Sequence, residues 1–154
     1  TEVNEFQREE TGQWEKNERE VYTGQWMLCE LNREFPTWLT IWPRERMDKL
    51  FGSKTIRTGN EAFDKRFNVS SGDEVAALHI LTPDCAEKIL ALADSSFGKF
   101  SINLNSDGRL YLAVHSGHGF FDLGKGREDP AQLRRRFTRE LTWFTNMIDV
   151  FRGA

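Results

Sequence analysis

Two histidines and an aspartate lie close together in a glycine-rich stretch in the last third of the chain. His115 and His118 are three residues apart, and Asp122 follows four residues later. Imidazole and carboxylate groups can together bind zinc or iron, or exchange protons as general acid and base. The stretch has no helical periodicity to fix the three groups, so we favour ordinary loop histidines. We keep the three residues as a candidate ligand-binding set and assign no catalytic residue, metal site or cofactor.

Four arginines form a second candidate contact surface, in the segment that we predict as the last helix. They are Arg134, Arg135, Arg136 and Arg139. The helix macrodipole disfavours positive charge in the first half of a helix, so the cluster invites a functional reason. One hypothesis is contact with anionic lipid headgroups or an acidic partner. The alternative, which we favour, is a solvated face paired with the chain's many carboxylates.

The composition limits the class of protein. The chain has 154 residues, a formal net charge of −3 and 29% charged residues, which is typical of one soluble domain. The absence of a global positive charge argues against a nucleic-acid partner. No apolar run approaches the roughly 20 residues of a membrane-spanning helix. Cys29 and Cys85 lie in different segments without metal-binding spacing, so we expect two reduced, mostly buried thiols.

The first residues differ in charge from the rest of the chain. Within residues 1–20, seven glutamates outnumber Arg8, Lys16 and Arg19, which gives a local charge of −4. We predict a solvated polar arm, or the polar start of a helix, over residues 1–18. A single α+β domain follows over residues 19–153.

Two segments rich in β-branched and aromatic residues predict strands near the start of the domain. They run from Val21 to Leu31 and from Thr37 to Trp42, and we expect them to be antiparallel. Trp26, Trp38 and Trp42 are expected to contribute large surfaces to the core. A third short strand is predicted at 54–58.

Three N-capping residues mark helices in the middle of the chain. Asn60 can cap a short turn that places Phe63 and Phe67 on one face, and a brief extended piece follows. Asp73 can cap a helix whose shared face carries Val75, Leu78 and Leu81. Thr82 can cap a third helix with Pro83 at its first position, where the missing N–H costs nothing.

The segment from Phe100 to Val114 predicts a β-hairpin. A two-residue turn would divide its apolar side chains between both faces of the sheet. A three-residue loop, Ser106-Asp107-Gly108 with Gly108 in the left-handed conformation, pairs Leu104 with Leu110 and gathers six apolar side chains on one face. We therefore predict the three-residue loop.

The last element is a long helix with well-marked ends. Asp129 is the expected N-cap, Pro130 the first position and Gln132 the third, which together form a capping box. Its apolar stripe consists of Leu133, Phe137, Leu141, Phe144, Ile148 and Phe151. The predicted fold class is α+β, with a mainly antiparallel sheet, helices covering one face and a long C-terminal helix.

The chain from about Val21 to Phe151 resembles a bacterial family of uncharacterised proteins, domain-of-unknown-function family 3137. The resemblance rests on a phenylalanine-acidic-x-x-phenylalanine-x-valine segment followed by an aspartate, an alanine and leucine-threonine-proline. The matching positions are Phe63-Asp64-Lys65-Arg66-Phe67, Val69, Ser71, Asp73, Ala76, Ala77 and Leu81-Thr82-Pro83, and Phe120-Phe121-Asp122 also fits the family's layout.

Members of this family usually carry membrane-spanning helices ahead of the domain. The resemblance therefore implies a membrane-anchored protein in which this domain faces the cytoplasm. Because no methionine precedes Thr1, we expect the chain to be the soluble portion of a longer protein. The family has no known function and supplies no catalytic residues.

Three functional hypotheses follow. The first is a non-enzymatic interaction or sensing module whose partner is a protein or a membrane surface. The second is a ligand- or metal-dependent enzyme or binding domain that uses the His115, His118 and Asp122 loop. The third is a peripheral binder of anionic lipid that uses the arginines of the last helix. The sequence does not determine the oligomeric state.

Overall fold

The structure is a computed structural model that describes residues 2–7, 14–19, 23–44, 55–119 and 129–153. The strands are β1 (Glu2–Gln7), β2 (Trp14–Arg19), β3 (Gln25–Glu30), β4 (Leu39–Pro43), β5 (Phe67–Ser71), β6 (Lys99–Leu104) and β7 (Arg109–His115). The helices are α1 (Glu61–Arg66), α2 (Glu74–Ile80), α3 (Pro83–Asp94) and α4 (Pro130–Arg152).

Five strands form the main sheet, in the order β3-β7-β6-β4-β5, and every neighbouring pair is antiparallel. The strands around Trp26 and Trp42 run antiparallel as predicted, but they are not neighbours. The β6–β7 hairpin pairs between them, so β3 and β5 occupy the two edges of the sheet.

The hairpin has the predicted register. Leu104 lies opposite Leu110 and Ile102 opposite Leu112, and Gly108 has a φ of 85°. The turn also packs so closely on the chain after β3 that a Cβ at Gly108 would clash with the carbonyl oxygen of Arg33. Glycine is therefore required at this position both by its φ and by the close approach.

One face of the sheet is buried beneath the helices. The six apolar side chains of the hairpin are at most 4% exposed. Trp143 of α4 packs edge-on against Phe100 of β6, with ring centroids 5.1 Å apart, and its Nε1–H donates to the Leu92 carbonyl of α3 at 2.8 Å. The predicted α+β class, with an antiparallel sheet and a long C-terminal helix, is confirmed.

Three predicted helix caps form, and one does not. The side chains of Asn60, Asp73 and Thr82 each accept a hydrogen bond from a main-chain N–H in the first turn of α1, α2 and α3. Asp129 is the N-cap residue of α4 but makes no capping hydrogen bond with its side chain. The predicted capping box is wrong there: the N–H of Gln132, which the box would bond to the Asp129 side chain, donates to the Asp129 carbonyl.

The predicted burial of the tryptophans is wrong. Trp26 is 64% and Trp38 43% exposed, and Trp42 is half-buried. Strand alternation explains the result for Trp26: β3 turns Gln25 toward the helices, so Trp26 faces the opposite side of the sheet.

The strand predicted at 54–58 is also absent from its described part, Thr55 to Thr58. Ile56 donates one main-chain hydrogen bond to the Val69 carbonyl of β5, at 2.8 Å. The main-chain N–H and the hydroxyl of Thr58 both bond to Asp64 of α1, at 3.0 and 2.9 Å. These bonds turn the chain away from β5 before a ladder can form.

The face predicted for α2 is only partly correct. Val75 is 66% exposed, and the buried residues at this position in the fold are Ala77, Ile80 and Leu81. The helix has only seven residues, and Leu81, its C-cap residue, is buried together with Ala77 and Ile80.

At the start of the chain, β1 and β2 pair as an antiparallel ladder that joins Glu2 with Arg19 and Gln7 with Trp14. We expected an arm or the start of a helix here. In this ladder the main-chain N–H and C=O groups of the two strands bond to each other, whereas in a solvated arm they would bond to water. Among the helices that the structure describes, none has the length and apolar character needed to cross a membrane.

Candidate functional site

The structure places the two candidate histidines in different surroundings. His115 is the last residue of β7, opposite Lys99 of β6, and is exposed. His118 lies in the loop that follows, with its ring turned toward α4, and its side chain is 24% exposed. Asp122 lies outside the described residues. Within the described ranges, no three His, Cys, Asp or Glu side chains lie close enough together to hold a metal ion.

His118 belongs to a buried polar cluster that the sequence analysis did not identify. Glu140 of α4 is 0% exposed. Its Oε1 lies 3.0 Å from Nε2 of His118, and its Oε2 accepts a hydrogen bond from Nε2 of Gln25 at 2.7 Å. We call these three residues the Glu140 cluster. It joins the start of β3, the loop after β7 and the middle of α4.

Both ring nitrogens of His118 have polar partners. Nδ1 is 3.0 Å from the Ser116 carbonyl oxygen, which can only accept, so Nδ1 carries a proton. Nε2 faces the Glu140 carboxyl group at 3.0 Å. With His118 and Gln25 as its partners, Glu140 is held in place as a structural group.

Helix periodicity contained a signal for Glu140. It follows Phe137 by three residues and precedes Phe144 by four, so it lies in the apolar stripe of α4. A carboxylate in such a stripe must find a buried partner or destabilise the fold. Gln25 has a weaker signal, since it alternates with Met27 and Cys29 on the inward face of β3.

The four candidate arginines of α4 differ in how far they are buried. Arg134, Arg135 and Arg139 are exposed, whereas Arg136 is half-buried. Arg134 and Arg135 also line a depression beside the start of α4 together with Asp129. Three of the four predicted contact residues are therefore accessible on the helix surface.

The two cysteines are free, and Cys85 is buried while Cys29 is half-buried. Burial raises the pKa of the Cys85 thiol to about 12, with a further contribution from the neighbouring Asp84 carboxylate. Because the thiolate is the reactive form, Cys85 is a core residue with little nucleophilic character at neutral pH.

On the side of β3 away from β7, no described strand pairs, and main-chain groups are directed away from the sheet. The N–H of Leu31 donates to the Gly108 carbonyl at 2.9 Å, and the Thr23 carbonyl accepts from the N–H of Gly117 at 3.1 Å. Both bonds lie on the β7 side. Because successive residues of an antiparallel strand alternate in direction, the N–H and C=O groups of Trp26, Leu28 and Glu30 point to the free edge.

Two large apolar side chains stand on the same strand. Trp26 and Leu28 are 64% and 49% exposed, and Tyr111 lies opposite Leu28 on β7. Farther across this face, the Asn103 amide donates to the Thr40 hydroxyl at 3.2 Å, and Trp42 of β4 is half-buried. Among the described strands, the most exposed large apolar side chains are therefore those of Trp26 and Leu28 on β3. We call Trp26, Leu28 and the outward main-chain groups of β3 the β3 edge.

The Glu140 cluster holds β3 in place on the face that packs against the helices. Gln25, one residue before Trp26, is held by Glu140, and the loop carrying His118 is held by the same carboxyl group. The edge is thus presented by a strand whose start is fixed to the long helix. Among the described residues, the fold and this site define an α+β domain in which one sheet edge, at β3, is unpaired and partly apolar.

The chain belongs to the family described as Protein of unknown function (DUF3137), whose model matches residues 20–152. No curated protein and no solved structure matches the chain.

Proposed function

We propose that this chain is a non-enzymatic interaction or sensing module that binds a protein partner along the β3 edge. The observation that carries the proposal is the coincidence, on one edge strand, of outward main-chain hydrogen-bonding groups with the exposed side chains of Trp26 and Leu28.

Two physical arguments support this use of the edge. An open strand with exposed apolar side chains is a template for further strand pairing, and natural proteins usually block such edges with charge, proline or a covering segment. β3 contains a single charged residue, Glu30, at its last position. Tryptophan is also enriched among the residues that dominate binding energy at interfaces.

A photo-crosslinking side chain at residue 26 tests the proposal in cells that make the protein. The matched control is the same side chain at Val75 on α2, which is 66% exposed, against 64% for Trp26. We expect a discrete crosslinked product from position 26 and none from position 75. Equal products from both positions, or none from position 26, would contradict the proposal.

We further propose that the domain is the soluble part of a bacterial membrane-anchored protein. The family resemblance supports this, because members of that family usually carry spanning helices ahead of the domain. Fractionation of the native protein tests it: release of the protein from membranes requires detergent if it is anchored, whereas high salt or alkaline carbonate releases a peripheral protein.

A second candidate function is peripheral binding of anionic lipid through α4. The exposure of Arg134, Arg135 and Arg139 favours it. Vesicles containing phosphatidylserine should then bind the chain with an affinity that falls as salt is added. A triple Arg→Gln variant at these positions should lose binding, while Arg109→Gln, on β7, should retain it. Unchanged binding by the triple variant would exclude this role.

A further inference from the structure

We infer that the partner at the β3 edge is a second copy of this chain, paired antiparallel through β3 about a twofold axis at Met27. This inference rests on the proposed function, since it names the occupant of the same edge. Two five-stranded sheets would then join into one continuous sheet.

The main-chain groups of β3 that point away from β7 fit this pairing. With Met27 opposite its own equivalent, Trp26 lies opposite Leu28 of the second copy, and Leu28 opposite Trp26. Both residues direct their main-chain N–H and C=O groups to the free edge, so these pairs are the hydrogen-bonded pairs of the new ladder. The exposed apolar side chains meet each other twice, once on each side of the axis.

The position of Glu30 favours this register over the other registers with twofold symmetry. Pairing about Leu28 would set Glu30 opposite Trp26, and pairing about Cys29 would set Glu30 opposite Leu28. Pairing about Met27 sets Glu30 opposite Gly24, at the ends of the strand, so that the two carboxylates are far apart. It is the register that gives both Trp26 and Leu28 an apolar partner without opposing either to a charge.

The inner face of β3 also fits a second copy. Met27 and Cys29 are half-buried and pack at the margin of the core. A neighbouring strand would cover the side of Met27 that β7 leaves uncovered. The contact is nevertheless small: one strand pair with two large side chains on each copy falls below the roughly 1,200 Å² of a stable interface. We therefore expect a weak dimer whose population depends on concentration.

Leu28→Pro and Leu28→Ala separate the main-chain contribution from the side-chain contribution. Proline at residue 28 removes an outward N–H that β7 does not use, and proline is tolerated on edge strands in that orientation. Sedimentation velocity of the 154-residue chain should show reversible dimerisation. Leu28→Pro should weaken dimerisation by about tenfold or more relative to Leu28→Ala, with an unchanged circular dichroism spectrum.

An engineered disulfide tests the register independently of how Leu28→Pro folds. In a non-hydrogen-bonded antiparallel pair the Cα atoms are about 4.5 Å apart, within the range for a disulfide. In a Cys29→Ser background, Met27→Cys should form a disulfide-linked dimer on mild oxidation. Leu28→Cys in the same background should form far less, because its equivalent lies diagonally across the ladder.

The outcomes distinguish this inference from the proposed function. A chain that stays monomeric while residue 26 crosslinks to a different protein would overturn the second copy as partner and leave the interaction role standing. Dimers that Leu28→Pro retains and Met27→Cys fails to link would place self-association on another surface and overturn the inference. A monomeric chain with no crosslink from residue 26 would overturn both.

Discussion

The two edges of the sheet are built differently. At β5, the Val69 carbonyl accepts a hydrogen bond from the N–H of Ile56 at 2.8 Å, and Ile56 packs against the core. At β3, the main-chain groups of Trp26 and Leu28 point to a side where no described strand pairs. The β5 edge is contacted by its own chain at Ile56, and the β3 edge carries exposed apolar side chains.

The two aromatic residues of these strands lie on opposite faces of the sheet. Phe67 of β5 faces the helices and is 5% exposed, whereas Trp26 of β3 faces the other side and is 64% exposed. The chain contacts the β5 edge through Ile56, and no described strand pairs with the outer side of β3. Among the described residues, β3 therefore combines an unpaired side with exposed apolar side chains, which is the reason for assigning binding to it.

The largest expected difference is between the aromatic residues of the two edges. The Phe67 ring packs against Phe63 and Phe100, at centroid distances of 5.1 and 5.3 Å. Phe67→Ala should lower the free energy of unfolding by about 3–5 kcal/mol, whereas Trp26→Ala should change it by less than about 0.5 kcal/mol. Urea unfolding of dilute protein measures both. Equal losses would show that Trp26 has a structural role and would remove the contrast.

The next effect concerns the support behind β3. Glu140→Ala leaves Gln25 and His118 without their shared partner and should cost about 3 kcal/mol of unfolding free energy. Glu140→Gln should cost less, because the amide retains an oxygen for Gln25 and supplies an N–H₂ for His118. Glu87→Ala, at an exposed position on α3, is the control and should be nearly neutral. If Glu140→Ala were equally neutral, the cluster would not hold the edge.

Sequence reasoning succeeded where the determining interactions are local. The caps at Asn60, Asp73 and Thr82 each bond within three residues. The hairpin register follows from alternation over a few residues together with one glycine at Gly108. In these segments the chain's own neighbours set the geometry, so the pattern was sufficient.

Sequence reasoning failed where residues far apart in the chain determine the structure. Gln25 and Glu140 are separated by 115 positions, and nothing near Gln25 predicts its partner. The apolar composition around Trp26 predicted a strand correctly, but composition tells neither a central strand from an edge strand nor which face of the strand meets the helices. The burial assigned to Trp26 depended on the face. The site at the β3 edge was therefore beyond the sequence, although Glu140 in the α4 stripe was a usable signal.

Amide hydrogen exchange tests the contrast residue by residue. In dilute protein the amides of Met27, Cys29 and Leu31 should exchange slowly because they bond toward β7. Those of Trp26 and Leu28 should exchange at least about tenfold faster. Ile56, at the covered edge, should be protected by its bond to Val69. Uniform protection along β3 would mean that this edge is covered too.

The smallest effect is expected at the turn beside the end of β3. Hydrogen bonds from the Arg109 side chain and main chain to Asp107 hold the pKa of that carboxyl below its usual value of 3.8. Because the folded state favours the charged form, the stabilisation is present above the unfolded pKa. It is lost as the pH falls through the lower folded pKa.

Asp107→Asn isolates this charge, because the amide oxygen can still accept from the Arg109 N–H, which lies 3.1 Å from Asp107 Oδ1. The variant should melt slightly below the wild type at neutral pH, and the difference should disappear in acid and shrink in salt, since the pair is exposed. A difference in melting that persisted in acid would assign the contribution to turn geometry.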